Sequence, residues 1–383
     1  MMKEPIAFWI NLFEHHGVFN LIIKSENMKK VFISVAALLC AGILFAQTPA
    51  NRTTKTVVAD VLAQMPVAKQ AEYDKLMGEL SSVGEDGVLM LIKRINSPGK
   101  GSNANVEYAL SGLTHYVAAN GKEEVRKVIS NAYLKALEQT DERETKAFII
   151  RQLQILGQDE CVETLALFLN DEALSGPAAR ALVSIDTPSA DAVLVNALKR
   201  RAGSIKTQRD VIEAVGDAQI AEAEEIIGVL LNAGNPDLQD VLLYALGKVG
   251  SLNSLDILAQ AAANDNYRMD KKGATEAYIA LINRLIAQGH LKEATKAAQK
   301  LQKEAVKAEE EQIRIAALQI LLHAESAKGA EDNSKSIKLI MTALKDDSRT
   351  YRNAALDFAS DFSNEDLYIK LLQLVDKSES DLK

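Results

Sequence analysis

The chain has 383 residues, 48% of them apolar and 5% aromatic, with 44 basic side chains against 52 acidic ones. That is ample material for a packed core, and a net charge of −8 argues against nucleic-acid binding unless the basic residues gather on one face. Two cysteines are too few for a disulfide framework.

Residues 1–27 fit no neighbouring pattern and read as an upstream extension, with the true start at Met28. If they are part of the product, Phe8, Trp9, Leu12, Phe13 and Phe19 offer an interfacial helix. Met28-Lys29-Lys30, an apolar run of about 15 residues and Ala46 before a polar stretch make a secretory signal over 28–46, too short for a stable membrane span. Cleavage after Ala46 would leave Gln47 first. Cys40 suggests a lipoprotein instead, but Leu39 stands where a small residue is expected; a retained anchor is the third option. The expected destination is the periplasm or the medium, with an outer-membrane lipoprotein the lesser alternative.

Residues 47–83 read as a helical cap, with Gly78 making its second helix less regular. From 84 to 377 the chain repeats one unit, an apolar helix ending in a turn residue and then a second apolar helix, before a polar tail at 378–383. The cleanest copies lie at 143–171, 176–200 and 237–262. Gly84, Gly121, Gly157, Asp186, Gly216, Gly250 and Gly289 mark the ends of successive first helices, and a left-handed glycine termination is expected there. Leu153, Leu156, Leu182, Ile185, Val211, Val215, Leu242 and Leu246 recur at the three- and four-residue steps of a buried helical face. Ala178-Ala179, Ala316-Ala317 and Ala354-Ala355 sit mid-helix, where small side chains let backbones approach closely. Hairpins this small cannot bury their own stripes, so each must lean on the next. The expected fold is all-α, a right-handed α-α superhelix of about eight to nine hairpins.

The Arg-Asn-Ala-Ala-Leu stretch at 352–356 and the Ala-Ala-Arg-Ala-Leu stretch at 178–182, in units of roughly 30 residues, resemble HEAT repeats of the short type found in phycobilin lyases. Arg352 and Arg180 occupy the arginine position of that family's Asp-x-x-x-Arg lead-in; the copies at 211 and 241 lack the arginine and carry Asp210 and Asp240 nearby. The chain also resembles secreted HEAT-like regions of Bacteroidetes proteins, some of which continue into a 3-keto-disaccharide hydrolase domain. That resemblance implies an accessory module of a saccharide-processing system, its catalytic domain lying outside this sequence.

The stretch 278–326 is the least regular. Its hairpin at Gly289-His290 also reads as a tetratricopeptide pair, with Ala294 and Ala297-Ala298 as small packing positions and a lysine-rich exposed second helix. A change of curvature is expected here. His115, His290 and His323 fall in separate repeats without metal-ligand spacing, and no nucleophile elbow, phosphate loop or zinc motif occurs. The acid pairs Glu123-Glu124, Glu224-Glu225 and Asp346-Asp347 read as surface or capping residues, because adjacent helical carboxylates do not face each other across a cleft. Cys161, in an apolar helical run, reads as a packed thiol. Catalytic, cofactor and metal sites are therefore all expected to be absent. Tyr108, Tyr116 and Tyr133, in neighbouring helices, are the candidate interaction patch, although packing against the next hairpin is the competing role; Arg200 and Arg201 form a basic rim. The expected function is a non-catalytic scaffold that holds a protein partner, possible partners including a glycan-processing enzyme, on a concave face made by the second helices.

Overall fold

A computed structural model describes residues 52–329, 333–361 and 364–377. The upstream extension, the signal segment and the tail at 378–383 lie outside the described residues. Among the described residues every regular element is helical. Contacts divide the chain after Asp60, within α1 (Thr54–Ala63); helices α2–α19 lie in the second unit, Val61–Lys383.

The hairpins follow one another in the order expected. In the second unit the first helices are α2 (Gln70–Ser82), α4 (Ala104–Val117), α6 (Arg143–Leu156), α8 (Ser175–Ile185), α10 (Ile205–Asp217), α12 (Gln239–Val249), α14 (Ala274–Ala287), α16 (Glu311–Ser326) and α18 (Arg349–Ser360). Their partners are α3 (Gly84–Ile92), α5 (Glu123–Gln139), α7 (Asp159–Ala166), α9 (Pro188–Arg200), α11 (Glu224–Asn232), α13 (Leu255–Asn264), α15 (Leu291–Lys307), α17 (Ser334–Ala343) and α19 (Glu365–Lys377). Each first helix packs on the next first helix, without a break from α2 to α18. The second helices pack in the same way from α3 to α9. All eight periodic apolar residues named above, from Leu153 to Leu246, are buried.

Glycine plays a different part from the one expected. Asp186, Gly84, Gly121 and Gly289 do have positive φ. Gly157 and Gly250, however, close α6 and α12 at φ −62° and −58° in extended geometry. A Cβ there would stand 2.6 Å from the Leu153 carbonyl oxygen and 2.5 Å from that of Leu246. These positions are glycine for lack of room, not for handedness. Gly216 does not end its helix; it is buried inside α10. A Cβ on it would lie 3.0 Å from the Ala245 Cα, and one on Gly247 would lie 2.9 Å from the Ala277 Cα, so the α10–α12–α14 row is joined by close backbone approach. Gly78 has a similar cause, since the Tyr116 hydroxyl passes over it.

Polar ties join several of the hairpins to the next. Arg209 grips Asp240 through two nitrogens, at 2.6 and 2.7 Å, across 31 residues. Arg126 reaches the Leu156 carbonyl at 2.7 Å and Glu160 at 3.0 Å, across 30 and 34 residues. Glu224 accepts from the Ser251 amide at 2.8 Å and from the hydroxyls of Ser251 and Ser254. Asp210 accepts from Ser175 and Lys206. The two aspartates that replace the arginine lead-in are therefore themselves partners in ties at about one repeat's spacing.

Candidate functional site

The surface residues singled out in the sequence do not form one site. Tyr133 is fully buried in α5; its hydroxyl lies 3.0 Å from the Thr114 hydroxyl and donates to the Leu110 carbonyl at 3.2 Å. It is a core residue and is removed from the candidate patch. Tyr116 is half-buried, with the Lys122 ammonium 3.0 Å from its ring centre. Tyr108 is exposed and donates to the Val67 carbonyl at 3.2 Å. Tyr108 belongs to α4 and not to the polar loop before it, which is pinned at its base by paired hydrogen bonds between Asn96 and Asn103. Arg200 is exposed at the end of α9, and Arg201 caps that helix at φ 50°. Two basic residues that follow it in sequence are engaged: Lys206 by Asp210 and Arg209 by Asp240.

The acid pairs and histidines fall where helix geometry sends them. Glu224 and Asp346 serve in ties between units, and Glu123 accepts from the Gly121 amide at 3.0 Å. His115 lies in α4, His290 immediately before α15 and His323 in α16. Cys161 is buried, and burial pushes its thiol up to about 11.

The best-formed concavity lies in the irregular region, between α15 and α17 with α16 as its floor. It encloses about 560 Å³. The α15 wall carries Gln299, Lys303 and Val306, and the α17 wall carries Lys335, Lys338 and Leu339. Arg314, Leu318, Leu321 and Glu325 line it from α16 at one-turn steps. Amphipathic sequence builds these walls. In α15 the buried side is nearly all small, with Ala294, Ala297, Ala298, Leu301 and Ala305, so the helix sits tightly on its neighbours while its lysines stay in water. In α17, Ile337, Ile340 and Ala343 go to the terminal core, leaving Lys335 and Lys338 on the open side.

One end of the cleft is held by a rigid cluster. Arg314 binds Asp346 through both terminal nitrogens, one of them at 2.9 Å, and its guanidinium lies 3.8 Å from the Tyr351 ring centre. The Tyr351 hydroxyl accepts from the Gln302 side chain at 2.7 Å. Arg314 holds the Asp346 carboxyl below the usual carboxylate range, while burial raises the Tyr351 phenol. Glu325, the other acid in the cleft, is paired with Lys328. Both carboxylates are thus neutralised, which leaves a positive rim beside the accessible apolar side chains of Val306 and Leu339. That arrangement suits recognition of a negatively charged surface better than acid-base chemistry. The sequence pointed to this region by its irregularity alone; the spacing of 32 residues from Arg314 to Asp346, one more than the 31 from Arg209 to Asp240, was the signal that could have located the cluster.

No protein-family model matches the chain, and no curated protein matches it.

Proposed function

We propose that the protein is a non-catalytic, exported interaction scaffold, built as a HEAT-like right-handed superhelix whose second helices present the binding face. The observation that carries this reading is the unbroken packing of each first helix on the next from α2 to α18. Such a row spends one face of every hairpin on its neighbours and leaves the partner helices to make surface. The basic, apolar and small residues of 28–46 support export. The neutralised acids of the cleft between α15 and α17 support recognition over catalysis.

Chemical crosslinking of the tagged full chain in envelope extract, followed by reconstitution with the purified candidate, tests the reading. The scaffold account expects one protein to be retained and to rebind with purified components. Failure of every candidate to rebind, or turnover of a saccharide by the purified chain alone, would count against it.

A further inference from the structure

We propose that the cleft between α15 and α17 seats an acidic amphipathic helix of the partner, an assignment that rests on the scaffold reading and names the chemistry of its ligand. The lining of α15 runs Thr295, Gln299, Gln302, Val306, and that of α17 runs Lys335, Lys338 or Leu339, Thr342 and Ala343, with Asp346 following from the turn after the helix. The α15 lining spans 12 residues and the helical part of the α17 lining nine, so the walls are about 16 and 12 Å long, or two to three turns. A helix laid on α16 between them matches those lengths and uses the same ridge-and-groove packing as the rest of the unit.

Charge selects the partner's sign. Lys303, Lys335 and Lys338 are exposed on the two walls and enter no ion pair among the described residues, whereas Arg314, Asp346, Glu325 and Lys328 are already matched within the protein. The apolar part of the cleft selects a helix over a free anion. Val306 is 52% exposed on the lip and Leu339 is half-buried; a small polar ion would leave both wet, and the leucine face of a helix would cover them. In this arrangement glutamates along the edges of the bound helix meet the three lysines, while its leucines lie over Leu339 and Val306.

The test uses fluorescence anisotropy with the purified full chain and a labelled helical peptide of about 18 residues. The peptide has leucines at i, i+3, i+4 and i+7 steps and glutamates elsewhere; a matched peptide carries lysine in place of every glutamate. The glutamate peptide is expected to bind at least about 10-fold more tightly than its lysine counterpart, with affinity falling as salt rises. Combined K303E, K335E and K338E changes, all at exposed positions, should weaken it by about 10-fold or more, and Val306→Asp should weaken it independently. Equal binding of the two peptides would overturn the assignment. So would unchanged binding by the charge-reversed variant, which would place the helix elsewhere and leave the scaffold reading standing. No peptide binding, together with a partner that rebinds the full chain, would again remove only the cleft assignment.

Discussion

At the scale of single residues, burial and pairing decide the chemistry. Cys161 is wholly buried, and loss of water around the thiolate raises the thiol to about 11. The native protein at pH 8 should therefore fail to react with an aromatic disulfide reagent over the time in which the urea-unfolded chain reacts fully, a comparison read by absorbance. Rapid native labelling would mean that α7 opens or that the thiol is exposed. The Asp346 carboxyl behaves in the opposite sense: hydrogen bonds from Arg314 lower it in the folded state. A group lowered on folding stabilises the protein above its unfolded value, near 3.9, and that contribution is lost as pH falls through the folded value. Asp346→Asn should cost about 1–3 kcal/mol at pH 7, and the gap from the parent should narrow below about pH 4. Urea unfolding at several pH values measures this; a gap independent of pH would show that the charge is not what the tie uses.

At the scale of elements, the row of first helices depends on glycines with no room for a side chain. Gly247 faces the Ala277 backbone, with its carbonyl oxygen 2.8 Å from where a Cβ would stand, whereas Gly228, inside α11, has nothing within 4 Å. Gly247→Ala should destabilise by about 1–3 kcal/mol through overpacking. Gly228→Ala should stabilise by about 0.5–1 kcal/mol through helix propensity. Thermal melts of the two variants should shift in opposite directions; equal shifts would mean that the α12–α14 approach carries no steric constraint. These two positions also show what the sequence could and could not convey. Apolar spacing located the helix faces correctly, because a three- and four-residue period is written locally and all eight periodic residues named in the sequence analysis are buried. It could not separate a glycine needed for handedness, such as Gly289, from one needed for clearance, such as Gly157, because clearance belongs to atoms in other residues. Tyr133 illustrates the same limit. Its neighbours in sequence place it on α5, but the Thr114 hydroxyl and Leu110 carbonyl that meet its hydroxyl come from α4. The cleft was still less legible, since it is a gap between helices and no residue pattern encodes a gap.

At the scale of the second unit, Val61–Lys383, stability is a sum of contacts between neighbouring hairpins. Arg209 with Asp240, Arg126 with Glu160 and Arg314 with Asp346 tie successive hairpins, while close approach at Gly216 and Gly247 joins α10, α12 and α14. An array of this kind carries a local lesion to adjacent units and loses the effect with distance along the chain, unlike a single closed core. Leu246, fully buried in α12, is the place to make the lesion, and Leu246→Ala should cost about 2–5 kcal/mol. Native-state hydrogen exchange of that variant, followed by mass spectrometry, tests the central claim most directly. Exchange should accelerate most in α10, α12 and α14, and progressively less toward α2 and α18. Equal acceleration in all helices, or acceleration confined to α12, would contradict coupling between neighbouring hairpins.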